Sequence, residues 1–194
     1  MSAASATFST STERTAGCYG VILRAGLLAG ALDITAACVS SWLRAGVGPV
    51  RVLQSVASGV LGADSYNGGL KSATLGLPLH FVIALGAAAV YYAASRRLEF
   101  LVRRPVVSGL LYGVAVQLFM TFVVLKVSAF PHKFVFRPGQ FAISTGILML
   151  FVGLPVALVV SRYAKRESDA RRIDRTSPDV PATSFGNDAG PGGR

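Results

Sequence analysis

Charge is what this 194-residue sequence lacks: Asp, Glu, Lys and Arg together make up 14% of it. A soluble domain carries about 25%, so a surface facing water on all sides cannot be built from these residues. Acidic side chains are the scarcer sign, nine against 19 Lys and Arg, for a formal net charge of +10. Cysteine is almost missing. Its two copies, Cys18 and Cys38, exclude a disulfide framework and a four-cysteine zinc site. On a largely helical path they lie about 30 Å apart, whereas a disulfide needs Cα atoms within about 7 Å. Imidazole comes only from His80 and His132, and no Cys or carboxylate cluster surrounds His132. No metal ligand set and no cofactor are therefore expected. A nucleophile elbow, a Ser-His-Asp order and a paired acidic motif are also lacking.

What is present is apolar: AVILMFWYC residues make up 52% and mean hydropathy is +0.55. Four long runs carry it, at about 19–43, 73–94, 105–125 and 141–160. Arg24 and Asp33 interrupt the first, and the second is uncharged apart from a possible charge on His80. The third and fourth are uncharged. Each meets the roughly 20 residues that a hydrocarbon core ~30 Å thick requires. Backbone in lipid must satisfy its own hydrogen bonds, so these runs are expected as helices. The expected fold is all-α, a four-helix transmembrane bundle. A cleaved signal peptide is the rival for the first run, but its apolar stretch is too long and contains Asp33.

Residues 1–18 have no apolar period and are expected as a disordered tail. Residues 161–194 form a second tail, basic at first and then rich in Pro, Gly and Ser, with its end from Thr176 expected to be disordered. Lys and Arg near the spans set orientation. With both termini inside, twelve lie on the cytoplasmic side and six outside. The firmest anchor is the short loop with Arg96, Arg97, Arg103 and Arg104. The inner set is completed by Arg14, Arg24, Arg162, Lys165, Arg166, Arg171, Arg172 and Arg175. Anionic lipid is a plainer partner for this basic loop and tail than nucleic acid. This balance points to N-in, C-in topology.

The first outer loop holds a short amphipathic stretch. Pro49 suits a first helical turn. Val50, Leu53, Val56, Ala57, Val60 and Leu61 then share one side, with Arg51, Gln54, Ser55 and Ser58 on the other. About 12 residues make ~18 Å, too short to span, so an interfacial helix is expected. A turn follows over Asp64–Lys71. Gly62, Gly68 and Lys71-Ser72 approach a Walker spacing, but the lysine is displaced and no strand precedes it. The Phe134 and Phe136 loop beside His132, Lys133 and Arg137 fits a headgroup boundary. Pro155 is expected to bend the fourth span.

Small residues fall in stripes. Gly26, Gly30, Asp33, Ala37 and Ser40 share a helix face, as do Gly76, His80, Ala84, Ala87 and Tyr91. Gly109, Gly113, Gln117 and Thr121 form a third stripe, and Ala142, Gly146, Gly153 and Ala157 a fourth. Such stripes let membrane helices approach closely. Asp33, His80 and Gln117 each extend one, which predicts a polar cluster in the outer half of the bundle. Ser144 and Thr145 lie slightly shallower. Insertion scales put an aspartate at a helix centre at roughly 2.5–3.5 kcal/mol, so Asp33 needs a partner or a proton.

Gly26–Gly30 with Asp33, the run Gln54-Ser55-Val56-Ala57-Ser58-Gly59, Gly68-Gly69, and Leu75-Gly76-Leu77 through His80-Phe81 carry a resemblance. Over residues 20–130 the chain resembles a family of small four-helix bacterial inner-membrane proteins. The resemblance implies the fold and brings no activity, substrate or cofactor. Three functions remain open. One is a non-enzymatic membrane component that assembles with itself or a partner through small-residue faces. Another is a small proton- or solute-linked transporter or channel using Asp33 and His80. The third is an intramembrane enzyme acting on lipid or quinone.

Overall fold

The computed structural model describes residues 3–129 and 138–176, with side chains for 17–129, 138–170, 172 and 173. All regular structure among these residues is helical. Helix α1 spans Ala3–Ala45, α2 Pro49–Leu61, α3 Gly69–Ser95 and α4 Glu99–Arg103. Helix α5 covers Pro105–Val127 and includes a π-helical turn at Met120–Val124. Helix α6 opens as Pro138–Leu148, passes a π-helical turn at Met149–Gly153 and continues as Leu154–Thr176. Four of these, over Gly17–Ala45, Gly69–Ser95, Pro105–Val127 and Pro138–Ala170, are long and apolar enough to cross a membrane. The segment holding His132, Phe134 and Phe136 and the tail beyond Thr176 lie outside the described residues.

One boundary differs from the sequence expectation, and one expected bend gains a local cause. The helical backbone of α1 reaches back to Ala3, through residues expected as an aperiodic tail. No Pro or Gly interrupts residues 2–16, and a nucleated helix adds each further residue at little cost. In α6, the bend expected at Pro155 is preceded by the π turn. Proline has no N–H and crowds the carbonyl four residues back, so a locally widened turn relieves it.

Helix α1 packs on α3 and α6, and α5 packs on α6. Their contact surfaces are made of small side chains. A core of Val21, Ala25 and Ala29 from α1, Ala88 and Tyr91 from α3, and Val152, Val156, Ala157 and Val160 from α6 fills the end nearer the arginine loop. Glycine sets the closest approaches. A Cβ on Gly26 or Gly30 would press on Leu85 or on Ala84 and Phe81 of α3. One on Gly113 would overlap the backbone of Met149. Gly146, expected on the same kind of inward face, has no atom within 4 Å of its would-be Cβ and makes no such contact.

Helix α2 forms where the sequence places it, and it buries residues from both of its sides, Ala57 as well as Gln54 and Ser58, while Arg51 is exposed. Gln54 and Ser58, from the polar side, are 4% and 0% exposed, while Val60 is 63% exposed. Gln54 Nε2 donates to the Gly69 carbonyl at 3.0 Å, and the Leu53 carbonyl packs directly on Gly76 of α3. The Gly59 carbonyl accepts from Ala129 N–H at 3.0 Å, tying α2 to the end of α5. Two glycines make the hairpin possible. Gly46 at φ 63° closes α1 through its N–H to the Trp42 carbonyl, and Gly62 at φ 63° turns the chain at the end of α2.

Candidate functional site

The α1–α3 contact positions the site. Because Gly30 lets the two helices meet at Ala84 and Phe81, the next turn of α1 lies beside the preceding turn of α3. That brings His80 Nε2 to 4.0 Å from Asp33 Oδ2 and 2.9 Å from the Gly30 carbonyl oxygen. A carbonyl only accepts, so Nε2 carries a proton and directs it at Gly30. The carboxylate of Asp33 makes no hydrogen bond among the described residues. The pair is mostly covered, with the His80 and Asp33 side chains 12% and 19% exposed.

Gln117 does not join them. It is buried in α5, and its amide donates to Thr121 Oγ1 at 3.2 Å within the same helix. Among the described residues nothing links it to Asp33 or His80. Equal depth along two helices does not put residues on the same side of a bundle, and α5 packs on α6 instead of α1. Ser144 and Thr145 likewise turn back to carbonyls of their own helix, at Gln140 and Phe141.

A second polar group was not singled out from the sequence. Tyr91, 1% exposed, bonds Ser108 Oγ at 2.8 Å and donates toward the Leu101 carbonyl at 3.1 Å. It joins α3 to the start of α5 across α4. Tyr112 packs edge-on to it with ring centroids 5.0 Å apart and donates to the Ala87 carbonyl at 2.7 Å. Nearby, Cys18 Sγ lies 2.8 Å from Tyr92 Oη. The available signal was Tyr91 at the end of the small-residue stripe together with Ser108 next to Gly109. Such hydroxyls end on backbone carbonyls, which sequence spacing does not reveal.

At the opposite end, the last turns of α1, the first half of α2 and the turn Gly62–Tyr66 enclose a cleft of about 300 Å³. Ser41, Val47, Arg51, Val52, Ser55 and Tyr66 line it. Arg51 lies over the Tyr66 ring at 4.2 Å and donates to the Tyr66 carbonyl at 3.3 Å. No group of three or more His, Cys, Asp or Glu able to hold a metal occurs among the described residues. In the arginine loop, Arg96 pairs with Glu167 at 3.1 Å and Arg103 with Glu99 at 2.8 Å.

No protein-family model, curated protein or solved structure matches this chain. The chemistry of the site rests on its own geometry.

Proposed function

We propose that this chain is a multi-pass protein of a bacterial cytoplasmic membrane, with both termini inside. The Asp33–His80 pair is its proton- or solute-linked site, in the outer half of the bundle. Support for lipid as the solvent comes from polarity turned inside out. Leu23, Val82, Leu111, Phe119 and Leu150 are exposed, whereas Gln54, Ser58, Ser72, Ser108, Gln117 and Thr121 are buried. Water would favour the reverse. Helix α2, with Val60 and Leu61 outward, then dips into the hydrocarbon edge, its polar side satisfied by protein. Arg96, Arg97, Arg103, Arg104 and the basic stretch from Arg162 face anionic lipid headgroups.

One observation carries the function. His80 spends its Nε2 proton on the Gly30 carbonyl, and Asp33 stands 4.0 Å away with its carboxylate unbonded. Side chains that only tie helices together place donor on acceptor, as Tyr91 and Ser108 do. A carboxylate at this depth offsets its insertion cost of roughly 2.5–3.5 kcal/mol by pairing with a protonated His80 or by taking a proton, a water or a solute, which are the exchanges a proton- or solute-linked site performs. Assembly through the glycine faces has less support, because Gly26, Gly30, Gly109, Gly113 and Gly153 are occupied within the chain. Binding and proton exchange suffice for this role, and no covalent step is required.

Purified protein in liposomes with a trapped pH dye tests it. Under an imposed pH or solute gradient, flux should exceed that of empty vesicles and fall at least tenfold in Asp33→Asn and His80→Gln that remain monodisperse. Flux indifferent to both substitutions would sink the proposal. Loss of folded protein in Asp33→Asn would assign the pair to holding α1 on α3.

A further inference from the structure

We infer that the cleft between α1 and α2 is a binding site for a phosphate-type oxyanion, held by Arg51 and Ser41. The inference goes beyond the Asp33–His80 proposal and does not depend on it. Arg51 sits in the first turn of α2, where the positive end of the helix dipole disfavours a cation. That turn contains no acidic residue, and the Gly48 N-cap supplies no side-chain acceptor. No carboxylate among the described residues pairs with Arg51. Its guanidinium is nonetheless fixed, with one face on the Tyr66 ring at 4.2 Å and one N–H on the Tyr66 carbonyl at 3.3 Å. A planar fork held at a dipole's positive end, with further N–H donors to spare, suits bidentate capture of phosphate oxygens.

Ser41 supplies the facing donor. It lines the same cleft, and its hydroxyl makes no hydrogen bond among the described residues. Ser55, the other hydroxyl on the wall, is committed to the Val52 carbonyl at 2.6 Å. The carbonyl end of α1 disfavours an anion, and three carbonyls of its closing turns, Ser40, Ser41 and Trp42, are already bonded. Arg44 Nε donates to Ser40, and the N–H groups of Gly46 and Val47 donate to Trp42 and Ser41. About 300 Å³ accommodates one phosphate with part of its substituent.

The same chemistry arrives as free phosphate or as a phospholipid headgroup. The only tryptophan, Trp42, is adjacent to Ser41 and gives the readout. Full-length protein in maltoside micelles, which carry no phosphate, is titrated with inorganic phosphate and separately with dihexanoylphosphatidylglycerol, following Trp42 emission and binding heat. Saturable binding is expected, weakened at least tenfold in Arg51→Gln and several-fold in Arg51→Lys, which keeps the charge and loses the fork. Asp33→Asn should bind as the parent does, which separates this site from the pair. Binding of phosphate alone assigns the free ion, and binding of the lipid alone assigns the headgroup. Absence of saturable binding by either ligand overturns the inference. So does equal affinity in the parent and both arginine variants; should Arg51→Gln fail to fold, Arg51→Lys decides.

Discussion

The carbonyl oxygen of Gly109 in α5 occupies the space in which a side chain on Gly153 of α6 would begin. Gly113 stands in the same relation to the backbone of Met149 one turn away. The two helices therefore touch main chain to main chain, over a stretch where α6 makes its π turn. In the proposed bilayer setting the hydrophobic effect gives little between helices, and approach this close supplies dispersion contacts in its place.

Gly153→Ala is expected to push α5 and α6 apart and to cost about 1–3 kcal/mol, the usual range for overpacking. The check is the thermal midpoint of the purified protein in detergent. Gly146→Ala serves as the contrast. Its Cβ would meet nothing within 4 Å, and alanine replaces glycine favourably in a helix. Its midpoint should be unchanged or slightly higher. Equal destabilisation by both substitutions would remove the assigned packing.

Tyr91→Phe keeps the ring against Tyr112 and deletes only the hydroxyl that bonds Ser108 and Leu101. Ser108 retains carbonyl acceptors at Leu101, Arg104 and Pro105, so no buried donor is orphaned. The expected loss is about 0.6–1.7 kcal/mol, the range measured for hydrogen bonds between membrane helices. Tyr91→Ala, which also empties a ring-sized space in the core, should cost several times more. Reversible unfolding in mixed micelles compares the two, and equal losses would show that the hydroxyl rather than the ring dominates.

What the sequence disclosed follows from what a linear pattern encodes. Runs of some twenty residues almost free of charge have few alternatives to a long apolar helix, so the spans at Ala73 and Pro105 were readable. Helical spacing also said that Gln54 and Ser58 share a side of α2. It could not say which side meets protein, because that depends on whether water or lipid surrounds the helix. Asp33 and His80 were legible as a pair because each continues a glycine stripe, and stripes mark the contact between α1 and α3. Gln117 continues a stripe too, but its stripe faces α6. Depth fixes one coordinate of three.

Orientation is the remaining expectation, and it can be read chemically. The proposed topology puts the α2–α3 turn outside and the arginine loop inside. Asn67 and Leu98 are exposed in these two loops. In a background with Cys18→Ala and Cys38→Ala, single variants Asn67→Cys and Leu98→Cys are each treated with a membrane-impermeant maleimide in intact spheroplasts. Asn67→Cys is expected to label at once, and Leu98→Cys only after the membrane is opened. The arginines argue for this outcome, because Lys and Arg in short loops resist translocation while the α2 loop carries only Arg51 and Lys71 beyond the end of α1. The opposite pattern would place Arg51 and its cleft in the cytoplasm, where free phosphate rather than an outer-leaflet headgroup would be the first occupant to test. Labelling of both sites in intact spheroplasts would contradict the single crossing by α3 between them and remove its proposed membrane arrangement.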